Sequence, residues 1–417
     1  MGRCQFEAYL NKVFDFRALV MSLPEGREFP QHDISKVFYA VFLGAACQYP
    51  SLHEIQKQCR DGSLSKRVGP ISDNTIVYAL QRQDPEPFFD LGCKIARRLK
   101  RNAVLNSKWS RGRLVAGVDG IELFSSFSRC CDECLERKVE KKVKKKLVEM
   151  TQYYHRISVV AVISSDIPVP LGIRFQKSGE TEVACSEALL TDLVKRLGRR
   201  FMDVLVADAL YLQTPFVEQI EKLGLEWVIT LKDNQPELLA EAERLTGGAM
   251  QCIERTEGRQ LQLGYAPETY WPVANRSVHT VKARRIEKKN KVVIEKENGK
   301  RIKGKGVTIE EATNYYASNI NVGAGTPAFI NQLGRKRWRM DTELFQTLTT
   351  DCHAKRPWAH QSPSLIVITM VRVLAYALSR VYYVRQLCSH LRRRAPTFKH
   401  FAYTLATWLT TTPSDSS

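Results

Sequence analysis

Two aspartates stand at the ends of short apolar stretches in this 417-residue sequence. Asp119 follows Leu114-Val-Ala-Gly-Val, and Asp208 follows Val204-Leu-Val-Ala. Each acid is expected to close its strand, with Gly120 letting the backbone turn away after Asp119. An acid beside a buried strand costs free energy unless a positive group pairs with it, and two such acids brought together would repel each other. A divalent cation relieves that repulsion, and Mg²⁺ or Mn²⁺ suits oxygen ligands with positions left open for water and phosphate. The pair favours phosphodiester chemistry in which two ions lie roughly 3.5–4 Å apart.

A third carboxylate is expected from a later helix, where the sequence offers two candidates. Asp341 and Glu343 both lie in the stretch Gly-Arg-Lys-Arg-Trp-Arg-Met-Asp-Thr-Glu-Leu-Phe. On an α-helix, residues two apart point about 200° away from each other, so only one of them could face a metal. Arg337 lies one turn before Asp341 and Arg339 one turn before Glu343, so both registers offer an arginine–acid pair. An ordinary solvent-exposed ion pair is the alternative for either.

A cluster of thiols and one imidazole suggests a second kind of metal site. Cys131 and Cys134 have the spacing of zinc ligands, Cys130 is adjacent, and His155 lies on a later predicted strand. Three thiolates and one imidazole could form a tetrahedral structural Zn²⁺ site that fastens the charged segment between them. The alternative is a set of ordinary reduced cysteines, with His155 as a strand residue.

Hydrophobic periodicity from Leu114 onward predicts the elements that position these groups. We expect three antiparallel strands, then a helix, a strand, a helix and a strand, the order of an RNase H-like α/β fold. The predicted strands are 114–124, 153–164, 169–176, 203–211 and 225–232, and the predicted helices are 181–197 and 214–223. In such a sheet the first and fourth strands are neighbours, so Asp119 and Asp208 would share one cleft.

The length predicts more than one structural unit. Residues 1–110 are expected to form a helical bundle for DNA binding, of the helix-turn-helix kind, or for dimerisation. Residues 111–234 would form the first part of the mixed-sheet core, 235–325 a β-rich insertion, and 326–411 the helices that complete the core.

The charge balance indicates a polyanionic partner. The chain has 63 Lys and Arg against 44 Asp and Glu, a formal net charge of +19 and a pI near 9.5. Two basic stretches, 136–146 and 284–305, are interpreted as hairpin tips that follow a phosphate backbone or are simply solvated. Around the second basic stretch, two strands at 280–286 and 291–296 are expected to flank a turn at Lys288-Lys-Asn. The scattered cysteines and the short apolar run Leu365–Leu378, interrupted by Arg372, predict an intracellular, soluble protein.

Four stretches together resemble the DDE transposases of bacterial insertion sequences. They are Val-Asp-Gly-Ile-Glu-Leu-Phe, Val-Ala-Asp-Ala-Leu-Tyr, Thr-Leu-Lys-Asp-Asn and Arg-Trp-Arg-Met-Asp-Thr-Glu-Leu-Phe, spread over roughly residues 110–360. The subgroup has a β-rich insertion and a Tyr-(2)-Arg-(3)-Glu-(6)-Lys signature. The resemblance implies that Asp119, Asp208 and a third acid hold Mg²⁺ or Mn²⁺ for nicking and strand transfer at transposon ends.

The resemblance also implies partners and a location. Double-stranded DNA, as terminal inverted repeats and target, would be the substrate, bound by a homodimer or larger synaptic complex in the bacterial cytoplasm at the nucleoid. The residues that would contact DNA are Lys232, Arg337, Trp338 and Arg339.

The signature is matched only in part. Aligning the tryptophan places Asp341 where the family has Glu and keeps Arg337, while Gly334 and Leu348 stand at the Tyr and Lys positions. The register on Glu343 keeps Arg339 but has Lys336 and Thr350 at those positions. The position of Trp338 favours the register in which Asp341 is the third acid. Two alternatives stay open: an RNase H-like nuclease or integrase with another role, and a catalytically decayed, transposon-derived DNA-binding protein.

Overall fold

A computed structural model gives the fold of most of the chain. It describes residues 5–106, 108–143, 146–248, 250–256, 258–297, 300–321, 323, 326–387 and 389–411. The polar C-terminal stretch 412–417 lies outside the described residues. The chain divides into two compact units, the first made of residues 1–202 and 338–417 and the second of residues 203–337.

Helices dominate the first unit at both ends of the chain. The helices of the described chain are α1 (Gln5–Phe14), α2 (Phe16–Met21), α3 (Ile34–Ala46), α4 (Leu52–Asp61), α5 (Asp73–Leu80), α6 (Glu86–Arg101), α7 (Glu182–Leu197), α8 (Thr214–Lys222), α9 (Pro236–Gly247), α10 (Thr326–Lys336), α11 (Gln346–Thr350), α12 (Ser364–Arg385), α13 (Ser389–Arg394) and α14 (Phe398–Thr411). A π-helix, Met340–Phe345, lies between α10 and α11.

Side-chain caps begin several of the N-terminal helices. Asp33, Ser51 and Ser72 each accept a hydrogen bond from the backbone N–H three residues on, which satisfies a donor that the first helical turn cannot pair internally. The predicted helical character of this region is confirmed.

The N-terminal and C-terminal helices of the first unit share one aromatic core. The ring of Phe6 lies 6.5 Å from that of Phe42, 5.3 Å from Tyr382 and 6.4 Å from Phe401, measured between centroids. These rings come from α1, α3, α12 and α14. The C-terminal helices α12 and α14 therefore pack in the same core as the N-terminal helices α1 and α3.

Helix α12 is a long apolar helix of the first unit. At 22 residues it is long and apolar enough to cross a membrane by those criteria alone, but 78% of its apolar window is buried inside the protein. The run Leu365–Leu378 was expected to be too short to cross a membrane, but the helix that contains it is 22 residues long. The buried Arg372 donates to the carbonyls of Cys352, His353 and Arg356, and stacks 4.3 Å above Trp358. Such burial is typical of a core helix.

Four antiparallel strands form the sheet of the first unit. They are β1 (Val115–Ser126), β2 (Leu135–Val143), β3 (Lys146–Val162) and β4 (Val169–Phe175). Strand β3 pairs along one edge with β1 and along the other edge with β2 and then β4. The charged run from Glu136 to Glu149 lies in the β2–β3 hairpin, so the predicted hairpin is confirmed.

The strands of the second unit begin with a parallel pair. They are β5 (Val204–Ala207), β6 (Glu226–Leu231), β7 (Gln251–Thr256), β8 (Arg259–Trp271), β9 (Arg276–Glu297) and β10 (Lys300–Ser318). Strands β5 and β6 are parallel, and β10, β9, β8 and β7 follow in antiparallel order. The α/β fold class is thereby confirmed, with α7, β5, α8 and β6 in the order predicted for an RNase H-like core.

The β-rich stretch of the second unit corrects one prediction. The turn expected at Lys288-Lys-Asn is wrong, because β9 runs through these residues to Glu297 and pairs with β10 from Lys300 onward. The intervening sequence, Asn-Gly at 298–299, is the strongest two-residue hairpin signal. The side chains of 289–307 lie outside the described part of the structure.

One carboxylate joins four elements of the second unit. Glu221 of α8 accepts hydrogen bonds from Arg276 at 2.6 and 2.9 Å, from the Trp227 indole at 2.8 Å and from Asn319 at 3.2 Å. Burial opposes ionisation, but these donors outweigh it and lower the pKa of Glu221 below its ordinary value.

Candidate active site

Asp119 lies within β1, facing a helix of the same unit. It pairs in register with Val159, and its carboxylate accepts a 2.9 Å hydrogen bond from the backbone N–H of Gly120. The prediction that Asp119 closes its strand is wrong, because β1 continues to Ser126. Gly120 does not end the strand; a Cβ there would lie 2.6 Å from the carboxyl carbon of Glu182. Because Gly120 has no side chain, the start of α7 can pack closely against the strand.

The π-helix packs on β1 immediately beside Asp119. A Cβ at Gly117 would lie 2.9 Å from Cγ and 3.1 Å from Sδ of Met340. Gly117 and Asp119 are two residues apart on a strand and therefore share a face. Met340 directly precedes Asp341, so the structure brings the segment that carries the third-acid candidates onto the face of Asp119.

The two third-acid candidates lie in a π-helix and not in the α-helix that was expected. Both Asp341 and Glu343 are half-buried within Met340–Phe345. A single π-helical turn widens the backbone ladder and is frequent at functional sites. Sequence reasoning missed it, because the change from i→i+4 to i→i+5 pairing leaves no residue signature at this position.

The hydrogen bonds of Arg339 distinguish the two third-acid candidates, Asp341 and Glu343. Its Nε and Nη2 atoms each donate to the Glu343 carboxylate at 2.7 Å, and its other N–H groups donate to the carbonyls of Ile163, Ser165 and Asp166. All five guanidinium N–H groups are thus used within the first unit. Glu343 is held by this buried arginine, which also links the π-helix to the loop that follows β3.

Asp208 follows the last residue of β5, as predicted. Its carboxylate accepts a 2.8 Å hydrogen bond from the N–H of Ala209, the same arrangement that Asp119 makes with Gly120. Burial acts to raise the pKa of Asp208, but this hydrogen bond and the charges of Arg337 and Lys232 outweigh it and lower the pKa below the ordinary value. The carboxylate is therefore ionised at neutral pH, as a metal ligand requires.

Lys232 and Arg337 form the basic side of the Asp208 site in the second unit. The Lys232 ammonium lies 3.4 Å from the Asp208 carboxylate, and its side chain is 57% exposed. Arg337 is buried. In the other unit, the Trp338 side chain is 58% exposed. The predicted meeting of Asp119 and Asp208 in one cleft stays a prediction.

The Cys and His residues come together in the first unit. The ligand atoms of Cys131, Cys134, His155 and His360 all lie within 4.8 Å of one another. Three of the four predicted members are present, but His360 stands where Cys130 was expected, and Cys130 is exposed. Sequence adjacency suggested Cys130, whereas the loop after α11 brings in a histidine more than two hundred residues away. Burial and the neighbouring His360 lower the pKa of His155 to about 4, and burial and the charge of Arg129 lower the pKa of His360 below its ordinary value.

Comparison with known proteins identifies the family. Residues 125–356 match the family model described as the transposase DDE domain. This span is more than half of the chain, and the chain belongs to the DDE transposase domain family. It contains Asp208, Asp341 and Glu343, while Asp119 lies shortly before it.

Curated sequences and solved structures were also compared with this chain. No curated protein matches the sequence significantly. Among solved structures, a piggyBac transposase in a synaptic complex with hairpin DNA is similar at 13% identity and a TM-score of 0.43, over 97% of this chain and 78% of that one.

Proposed function

We propose that this chain is a DNA transposase of the bacterial insertion-sequence type, which cleaves transposon ends and transfers the 3′-hydroxyl ends to target DNA. The observation that carries the proposal is the ionised Asp208, held beside Lys232 and Arg337 within the matched DDE domain. An acid kept ionised next to cations suits a site that binds both a metal and a phosphate.

The metal ligands we propose are Asp119, Asp208 and Asp341. The donors fit divalent cations such as Mg²⁺ or Mn²⁺, because all are carboxylate oxygens and each strand aspartate is oriented by the following N–H. Glu343 is assigned a structural role, since Arg339 holds both of its carboxylate oxygens. Bound cations would activate the attacking oxygen and stabilise the leaving oxygen in phosphodiester cleavage.

The remaining residues orient the DNA. Lys232 is exposed beside Asp208, so it is placed to contact a phosphate next to the scissile bond. Trp338 presents an exposed ring next to the π-helix and can stack on an unpaired base near the cleaved end. Arg339, whose donors are all used inside the protein, is not part of this surface. Two ends must be cut in concert, so the active form is a dimer or larger synaptic complex.

Cleavage of end-containing DNA tests the proposal. The substrate is a duplex with the terminal inverted repeat that flanks the coding sequence, incubated with purified protein and Mg²⁺ or Mn²⁺. Wild-type protein is expected to nick at the repeat end, and Asp119→Ala and Asp208→Ala to lose this activity. Asp61→Ala, a change at a 67%-exposed acid of α4, is the matched control. Equal cleavage by all four proteins would overturn the site, and specific binding without cleavage by the wild type would indicate a decayed enzyme.

A further inference from the structure

A compact group of four side chains lies apart from the proposed catalytic carboxylates. Cys131 and Cys134 come from the turn before β2, His155 from β3, and His360 from the loop between α11 and α12. Cys134 and His155 are buried, and the other two are half-buried. His155 pairs in register with Phe124, five residues beyond Asp119 on β1, or about 16 Å along a strand. The group is therefore separate from the carboxylate site.

The distances between the ligand atoms fit one tetrahedral ion. The sulfurs of Cys131 and Cys134 are 3.6 Å apart, and each lies 3.3 Å from Nε2 of His155. The Cys134 sulfur lies 3.4 Å from Nε2 of His360. With zinc bonds of about 2.3 Å to sulfur and about 2.0–2.1 Å to nitrogen, a tetrahedron has edges of roughly 3.4–3.8 Å. These four separations lie within about 0.3 Å of the edges, and the other two, from His360 to Cys131 and to His155, are at most 4.8 Å.

Neighbouring groups orient the four ligands. The backbone N–H of Cys131 donates to the Cys134 sulfur at 3.3 Å, and the N–H of Cys134 donates to the Cys131 carbonyl at 3.0 Å. The ring of Phe124 packs on both imidazoles, with centroids 5.2 Å from His155 and 5.0 Å from His360. Such outer contacts fix ligand orientation in metal sites.

We propose that Cys131, Cys134, His155 and His360 bind one structural Zn²⁺ ion. Two thiolates and two neutral imidazoles form a closed four-ligand set, which is the composition of structural rather than catalytic zinc. Binding releases the two thiol protons to solvent. The ion joins the start of the β2–β3 hairpin to the loop that follows the π-helix and α11, and so fixes the C-terminal side of the segment that carries Asp341.

Metal analysis of the purified full-length chain tests the site. One zinc per chain is expected in the wild type, and Co²⁺ substitution should give the visible spectrum of a tetrahedral ion with two thiolate ligands. His360→Ala is expected to weaken zinc affinity by about 100-fold or more, since it removes a direct ligand. Cys130→Ser is the matched control, because Cys130 is exposed and lies outside the group; it should keep one zinc.

A second variant keeps the test decisive if His360→Ala does not fold. His360→Cys retains a ligand, and it should bind Co²⁺ with a spectrum that reports three thiolates instead of two. A wild-type protein that binds no zinc or gives octahedral Co²⁺ would overturn the proposal. So would loss of zinc in Cys130→Ser with zinc retained in His360→Ala. These outcomes are independent of DNA cleavage, and failure of the transposase assay would leave them unchanged.

Discussion

Arg339 holds Glu343 through two hydrogen bonds of 2.7 Å, one to each carboxylate oxygen. The same guanidinium donates to three carbonyls of the loop that follows β3. The buried Arg339 therefore anchors the half-buried Glu343 and with it the π-helix, because a planar arginine can bind a carboxylate through two parallel hydrogen bonds and use its remaining donors elsewhere. In the proposed site this relationship leaves Asp341, and not Glu343, as the third metal ligand.

Substitution of the two acids should separate their roles. Asp341→Asn is expected to reduce cleavage of end-containing DNA on the order of a thousand-fold, because a catalytic ligand is lost. Glu343→Gln should retain cleavage within several-fold and lower the free energy of unfolding by about 1 kcal/mol. Cleavage rates and urea titrations of both variants check this. A larger loss of activity in Glu343→Gln than in Asp341→Asn would reverse the assignment.

Lys232 should contribute a phosphate contact. Lys232→Met is expected to weaken binding of duplex DNA across sequences and to reduce the slope of log affinity against log salt by about one. Affinities measured at several salt concentrations give the slope. Lys195→Met, at an exposed lysine of α7, is the control for loss of one positive charge. An unchanged slope in Lys232→Met would exclude the contact.

Gly117 and Met340 should be energetically coupled. Gly117→Ala places a methyl group against the Met340 side chain and is expected to destabilise the protein by about 1–3 kcal/mol. Met340→Ala removes the obstruction, so the double variant should be more stable than the sum of the two single effects predicts. A double-mutant cycle in urea measures this coupling. Additive effects would mean that the π-helix does not rest on Gly117.

Arg372 should be essential to the loop that carries His360. Arg372→Met leaves the carbonyls of Cys352, His353 and Arg356 without their donor, and the expected loss is about 3–5 kcal/mol of unfolding free energy. Denaturant titration checks the value. Arg393→Met, in the short α13, is the matched control and should change stability by less than about 0.5 kcal/mol. Equal stability of the two variants would contradict this role.

Glu221 should make stability depend on pH in a defined direction. Burial opposes its ionisation, but the bonds from Arg276, Trp227 and Asn319 lower its folded pKa. Its contribution is therefore fully present above the ordinary glutamate pKa and is lost as the pH falls through the lowered value. Glu221→Gln should cost about 2 kcal/mol at neutral pH, and the difference from wild type should shrink in acid. A difference that is constant from neutral to acid pH would show that the charge of Glu221 is unimportant.

The sequence predicted the elements that hydrophobic alternation specifies. The strand that ends before Asp208, the helix capped by Thr181 and the β-rich stretch of the second unit lie where they were expected. Local signals were less reliable. Gly120 suggested a strand end but is required for close packing against Glu182, and the polar Lys-Lys-Asn suggested a turn inside β9. A glycine or a polar triplet has several physical explanations, and tertiary packing decides among them.

The sites were predictable only where their residues are neighbours in sequence. Cys131 and Cys134 were found by their spacing, and His155 by its place on the following strand. His360 was not, because the loop that brings it to the group has no spacing signal. The π-helix at Asp341 was missed for a related reason: a register change in backbone hydrogen bonds depends on packing against β1.

The β9–β10 ribbon makes the far end of the second unit sensitive to small changes at its base. Its nineteen paired positions, His279 to Glu297 with Lys300 to Ser318, extend about 60 Å at the usual rise per residue. Strand β8 supports β9 only as far as Glu287 in the described register. Beyond Glu287 the ribbon extends about 33 Å to Glu297, so a rotation of about 5° at Glu287 displaces Glu297 by about 3 Å. The position of the outer part of the ribbon therefore depends on the packing around Val281 and Ala283, which are both buried at its base.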